Sequence, residues 1–138
     1  MFIRPFRMDD YTAVHTLWCE AGPGLTLRPS DEPEQVKKKL ERDPELFLVA
    51  EEESRLVGVI MGAWDGRRGW IHHLAVHADW RGRGIGTALL HEVETRLAAI
   101  GCLKVNLMVR KDNTSAQELY RRLGYEDMPP ILLMGKEL

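Results

Sequence analysis

Apolar residues recur along this chain with two different periods, and the switches between them mark out its elements. Phe2-Ile3-Arg4-Pro5-Phe6 alternates with period two and predicts a short strand, which Pro5 confines to a sheet edge. From Tyr11 the period becomes helical. Tyr11, Val14, Leu17 and Trp18 share a face, Asp9 or Asp10 can cap it, and Ala21-Gly22-Pro23-Gly24 stops it. Leu25 to Asp31 reads as a loop. Pro33 suits an early helical position, and Val36 and Leu40 give a second short helix one apolar stripe, with Lys37-Lys38-Lys39 as a solvated face. Asp43-Pro44 breaks it. Leu46–Ala50 is a compact apolar strand, Glu51–Arg55 a polar turn and Leu56–Trp64 the return strand of a hairpin. After the turn at Asp65–Gly69, Trp70–Val76 is the third strand of this meander. A helix from about Ile85 carries Leu89, Val93, Leu97 and Ile100 on one stripe and ends at Gly101. Lys104–Val109 is the next strand. Asn113 or Thr114 caps a last helix through Leu119, Tyr120 and Leu123, with Gly124 as its stop. After a turn at Pro129-Pro130, Ile131–Met134 predicts a closing strand.

The crossover from Trp70–Val76 through a helix to Lys104–Val109 makes those two strands parallel, whereas the earlier ones are antiparallel. The fold class is therefore α/β with a mixed sheet (α+β in its antiparallel part) and about four flanking helices. The chain shows no internal repeat and no low-complexity stretch.

One stretch stands apart. Leu74-Ala75-Val76-His77-Ala78-Asp79-Trp80-Arg81-Gly82-Arg83-Gly84-Ile85-Gly86-Thr87 runs from a strand through a glycine-rich turn into a helix. Glycines at every second position let backbone N–H groups close on a ligand. The first turn of the helix adds unpaired N–H groups and the positive end of its dipole. That is an anion site, most often one for phosphate, and Arg81 and Arg83 add charge. The spacing is not the dinucleotide fingerprint G-x-G-x-x-G, position 87 is Thr, and the next strand carries Asn106 where an acid would be wanted. No Gly-Lys-Ser/Thr is present, so it is not a Walker loop.

The pattern Arg81-x-x-Gly84-x-Gly86 after Leu-Ala-Val resembles the acetyl-CoA pyrophosphate loop of the GNAT N-acetyltransferase superfamily, and the order of elements is similar from end to end. The resemblance implies a sheet splayed between its fourth and fifth strands. Amide-rich pantetheine would lie in that slot like an added strand. It implies that Leu74, Ala75 and Val76 offer backbone partners to pantetheine and the acetyl carbonyl. It also implies that Arg81, Gly82, Arg83, Gly84, Ile85, Gly86 and Thr87 hold the pyrophosphate, and that a backbone N–H near Leu74 stabilises the developing oxyanion. The second motif is Asn113-x-x-Ala116-x-x-Leu119-Tyr120-x-x-Leu123-Gly124-Tyr125. By resemblance Asn113 contacts the cofactor and Tyr120 reaches the thioester sulfur, where a phenol can protonate the leaving thiolate. Without the glycine turn Tyr120 would read as a core residue with a polar tip; with it the acid role is the expectation, and Tyr125 reads as packing for the helix end.

An acceptor amine arrives as an ammonium and must lose a proton. Strict alternation puts Trp70, His72, Leu74 and Val76 on one face and Ile71, His73 and Ala75 on the other, so one histidine alone can share the catalytic face. His72 is the candidate base, since some family members carry a carboxylate there, and His73 the packing residue; a water chain could serve instead. Relatives that acetylate protein N-termini often place a glutamate where this chain has Met108, and many have proline where it has Ala78. The resemblance implies that acceptors are chosen by the first two helices and the hairpin turns, which here offer Trp18, Arg28, Trp64, Asp65, Arg67, Arg68 and Trp70, although each reads equally as a core or surface residue. Arg28 could pair with an acceptor carboxylate.

Composition adds bounds. The 138 residues suit one domain spanning 1–138. Hydrophobic content of 44% and charged content of 29% are ordinary globular usage. A net charge of −2 argues against a broad nucleic-acid footprint. Cys19 and Cys102 lack metal-ligand or disulfide spacing and read as reduced, buried thiols, so no metal and no cysteine nucleophile is expected. With no apolar leader or long apolar run, a cytoplasmic location away from membranes is expected. The expectation is an acetyl-CoA-dependent N-acetyltransferase acting on a primary amine of a small molecule by direct attack in a ternary complex, with a homodimer as an open possibility. The alternatives are a protein or peptide N-acetyltransferase, or an acyl-CoA-binding regulatory domain without turnover.

Overall fold

The computed structural model describes residues 1–22 and 24–138; Pro23, part of the predicted helix stop, lies outside the described residues. Five strands form one sheet in the order β1-β2-β3-β4-β5: β1 Phe2–Pro5, β2 Phe47–Glu52, β3 Arg55–Trp64, β4 Gly69–Val76 and β5 Val105–Leu107. Helices α1 Tyr11–Glu20 and α2 Pro33–Arg42 precede β2, α3 Ile85–Ala99 joins β4 to β5, and α4 Thr114–Arg122 follows. β1 is the predicted edge strand. The β1–β2, β2–β3 and β3–β4 pairs are antiparallel and β4–β5 is parallel.

Each face of the sheet has its own core. Leu89, Leu90, Val93 and Leu97 of α3 close one face over Leu48, Ile60 and Ile71. Val14, Leu17 and Trp18 of α1, with Val36 of α2, close the other over Phe47, Val49, Val59 and Ala75. Burial on both faces explains why β2 reads as an unbroken apolar run. Glycines in β3 and β4 admit α3: a Cβ on Gly62 would stand 2.7 Å from Val93 Cγ1, and one on Gly69 2.8 Å from Leu97 Cδ1.

β4 and β5 pair only at Gly69–Val105, Trp70–Asn106 and Ile71–Leu107. From His72 onward β4 has no strand on that side among the described residues, and the sheet opens there as expected. Within β4 the register slips. Val59 faces Ala75 but Met61 faces His72, so β4 carries one extra residue, and His73 has φ 51°. This bulge breaks the alternation assumed from sequence.

Other expectations are corrected. Ile131–Met134 forms no strand and is exposed. Pro129 and Pro130 remove two ladder donors at its entry, and β5 offers an edge of only three residues. Asp10 occupies the position before α1 without capping it. Its carboxylate instead accepts from the Arg7 backbone N–H at 2.8 Å and from both terminal nitrogens of Arg4 at 2.8 and 2.9 Å. Lys39 is not part of a solvated face: its ammonium donates to Asp43 and to the Gly62 carbonyl, pinning α2 to β3. Cys19 is exposed and Cys102 half-buried, so neither is the buried thiol expected.

Candidate active site

The opening between β4 and β5 receives groups from both faces of the sheet. On the α3 face lies the glycine turn. Gly82 and Gly84 have φ of 76° and 82°, a region costly for residues with a Cβ, and no atom lies within 4 Å of where that Cβ would be. Their backbones therefore border open space. Gly84 starts α3 without a side-chain cap, and the Ala88 N–H is the first to bond back, to the Gly84 carbonyl at 3.0 Å. The N–H groups of Ile85, Gly86 and Thr87 belong to the uncapped first turn. Gly86 differs from its neighbours: its φ is ordinary, and a Cβ would make only normal contacts with Leu119 and Val76 at 3.7 Å.

The basic residues are placed by their neighbours. Arg81 donates from Nε to the Val76 carbonyl at 3.1 Å, which ties the turn to the end of β4 and occupies one of the backbone groups expected to meet pantetheine. The Arg83 guanidinium lies 4.6 Å from the centre of the Trp80 ring. Both arginines are exposed. Leu74 and Val76 pack toward α3, whereas Ala75 belongs to the opposite core.

α4 borders the same side. Asn113 caps it, with Oδ1 accepting from the Ala116 N–H at 3.3 Å. Gly24 packs against the Asn113 side chain so closely that a Cβ there would collide with it. Tyr120 packs against the α3-side core, with its ring 5.9 Å from that of Tyr125. Burial pushes the Tyr120 phenol up to about 12, so it stays protonated at neutral pH. The Tyr125 hydroxyl donates to Glu94 at 2.7 Å, which gives that ring a structural role.

The α1–α2 face holds both histidines. His72 pairs with Met61, which packs into that core, and His73 stands with its ring 5.2 Å from that of Trp18. The expectation that one histidine alone could share a face is therefore overturned; the extra residue at the bulge turns both to the same side. Burial lowers the His72 pKa, with like charge from His73 and Lys39 adding to the effect and Asp31 opposing it. His73 Nε2 lies 2.8 Å from Asp31 Oδ1.

Asp31 was not a candidate from sequence. It ends the 3-10 turn Pro29–Asp31, is buried, and accepts from the Arg28 N–H at 2.9 Å. Burial alone would raise its pKa, but His73 and the Arg28 N–H outweigh that and hold it below the usual carboxylate value. The signal was present in part: Arg-x-x-Asp occurs at 7–10 and at 28–31, and in both the Asp accepts from the Arg backbone. Nothing local pointed across 42 residues to His73.

Among the acceptor candidates, Asp65 is spent on its own turn. It accepts from the Arg67 and Arg68 backbones and from Trp70 Nε1. Trp64 packs on the α3-side core. Trp18 is buried, and its indole N–H is the one buried side-chain polar atom without a partner among the described residues. Arg28 lines a small cleft of about 60 Å³ with Tyr11, His15, Leu27, Asp31 and Glu32. Among the described residues no cluster of His, Cys, Asp and Glu could hold a metal ion, and no helix is long and apolar enough to cross a membrane.

This geometry has known counterparts. A sequence model of the Acetyltransferase (GNAT) family matches residues 11–125. An acetyltransferase of Sodalis glossinidius (strain morsitans) is 49% identical over 141 residues, covering 100% of this chain and 96% of that protein. The PaiA N-acetyltransferase from Thermoplasma acidophilum, solved in complex with coenzyme A, has a similar fold, with a TM-score of 0.82 at 21% identity over 91% of this chain and 89% of that one. The ribosomal-protein-alanine N-acetyltransferase from Brucella melitensis is similar with a TM-score of 0.74 at 23% identity, over 91% and 85%.

Proposed function

The chain belongs to the GNAT family of acetyltransferases, and from that premise we propose that it moves an acetyl group from acetyl-CoA to a primary amine of a small molecule within a ternary complex. One observation carries the donor half of this reading. The uncapped start of α3, fronted by open space at Gly82 and Gly84, stands at the end of β4 that has parted from β5. A diphosphate fits there: it needs backbone N–H donors, positive charge and no side chain in the way. Arg81, Gly82, Arg83, Gly84, Ile85, Gly86 and Thr87 would hold it. Leu74, Ala75 and the remaining free backbone of β4 would bind the pantetheine arm, and Asn113 would border it. The similar fold solved with coenzyme A supports the use of such a donor.

The chain's own groups then supply the chemistry. A β4 backbone N–H near Leu74 stabilises charge developing on the thioester oxygen. Tyr120, kept protonated by burial, donates its hydroxyl proton to the departing sulfur. An imidazole on the opposite face takes the ammonium proton; His72, neutral at physiological pH, is the residue the sequence names. Donor and acceptor thus approach the opening from opposite faces of the sheet.

A peptide amine is the second reading. It is favoured by the similarity to the ribosomal-protein-alanine N-acetyltransferase and disfavoured by Met108. The test is acetyl transfer from acetyl-CoA across a panel of small amines, amino acids and peptides, read by mass spectrometry. Turnover on small amines is expected. Turnover on peptides alone would replace the first reading by the second, and acetyl-CoA binding without any transfer would leave a regulatory domain.

A further inference from the structure

We propose that His73, held by Asp31, is the group that takes the proton from the acceptor amine, with His72 lining the pocket beside it. The inference rests on the acetyltransferase reading above and deepens its acceptor half.

The bulge in β4 is the first observation. His73 has φ 51°, an uncommon conformation for a residue with a Cβ, and it brings the His73 ring to the α1–α2 face just past the last β4–β5 pair at Ile71. Counted from Ile71, which packs toward α3, regular alternation would have put that ring among the α3 side chains, away from His72. Local strain of this kind persists where the surrounding structure holds it, and here the holding contacts are specific.

The second observation is the Asp31 pair. The carboxylate is buried and ionised, one oxygen occupied by the Arg28 N–H and the other 2.8 Å from His73 Nε2. An ionised carboxylate only accepts, so Nε2 carries the hydrogen and donates it. The neutral ring must then leave Nδ1 unprotonated, and His73 Nδ1 makes no hydrogen bond among the described residues. The side chain is 23% exposed, so that lone pair can be reached. His72 has no comparable carboxylate, and its burial makes it a weaker proton acceptor.

The third observation is Trp18. Its buried N–H lacks a partner, and its ring stands edge-on to His73. The charged and titratable groups around the pair are Asp31, Glu32 and Arg28 from the segment before α2, Tyr11 and His15 from α1, and His72 from β4. From α2, Lys39 acts on His72 but is held by Asp43.

The protons balance. The ammonium gives its first proton to His73 Nδ1, and Asp31 stabilises the imidazolium. The freed nitrogen lone pair forms the C–N bond to the acetyl carbon as the C–S bond breaks. The Tyr120 hydroxyl protonates the departing sulfur, the second nitrogen proton passes through water to the Tyr120 phenolate so formed, and His73 then releases the first proton to water. Asp31 never meets the substrate; it is a positioning residue.

Two measurements test this. In ¹⁵N-labelled protein, neutral His73 is expected as the Nε2–H tautomer, a readout independent of turnover; the Nδ1–H tautomer would overturn the proposal. In the pH profile of kcat/KM, His73→Gln is expected to lower the neutral-pH value about a hundredfold. Asp31→Asn is expected to lower the plateau and move the acidic limb to lower pH, because the imidazolium loses its counter-charge. Acetyl-CoA affinity should stay within about twofold in both, which also shows that they are folded. If Asp31→Asn misfolds, the His73→Gln profile and the tautomer still decide. An acidic limb unmoved in His73→Gln and Asp31→Asn, but moved in His72→Gln, would overturn the proposal while leaving the acetyltransferase reading intact. Absence of transfer to any amine by the wild-type protein would instead sink that reading.

Discussion

Replacing Gly84 by alanine separates two things that a glycine at a ligand loop can do. Gly84 sits at φ 82° with no atom within 4 Å of the place a Cβ would take, so the methyl group meets no neighbour in the free protein. Its cost is the left-handed backbone alone, about 1–2 kcal/mol. For a chain of 138 residues this lowers Tm by about 2–8 °C. Gly101, just past the end of α3, has φ 95° and equally open surroundings, so Gly101→Ala should cost about the same. The two variants part at the ligand. If a diphosphate fills the space in front of Gly84, the methyl group displaces it from the α3 N–H groups. Losing even one charge-assisted hydrogen bond, about 1.5–3 kcal/mol, weakens acetyl-CoA roughly tenfold or more. Calorimetric titration of both variants below their Tm should show that loss in Gly84→Ala and wild-type affinity in Gly101→Ala. Equal affinities in the two would refute the placement of the diphosphate, whatever the Tm values.

Tyr120→Phe should lower kcat at least tenfold with acetyl-CoA affinity nearly unchanged; an unchanged kcat at saturation would remove Tyr120 as the acid. The same residue gives a stability prediction. Its folded pKa of about 12 exceeds the ordinary 10.0, so its contribution is complete below pH 10 and is lost as pH rises toward 12. Denaturant titrations should therefore show a smaller alkaline loss in Tyr120→Phe than in wild type. Asp10→Ala leaves the half-buried Arg4 with Glu51 as its remaining carboxylate partner, and should cost about 2–3 kcal/mol by urea unfolding. Burial opposes its ionisation, but Arg4 and the Arg7 N–H outweigh that and hold Asp10 below 3.8. This contribution is present above about pH 4 and lost as pH falls further, so the gap between wild type and Asp10→Ala should close in acid.

The sequence by itself determined what neighbours in the chain can settle. Helical and alternating periods gave α1 to α4 and the five strands, because burial of one face repeats every few residues. The glycine turn was legible because positive φ and a bare helix start are local demands, and Asn113 was legible as a cap for the same reason. Tertiary structure decided the rest. One extra residue in β4 put His72 and His73 on the same face, and a bulge depends on how β3 and β4 register, not on the pattern of β4 alone. Asp31 met His73 because the core on the α1–α2 face folds the segment before α2 against the sheet. Lys39 left a run of three lysines for a carbonyl in β3, and Ile131–Met134 stayed unpaired because a strand exists only where another offers an edge. Local chemistry is written residue by residue; the partner that completes it is chosen by contacts the chain makes only once it has folded.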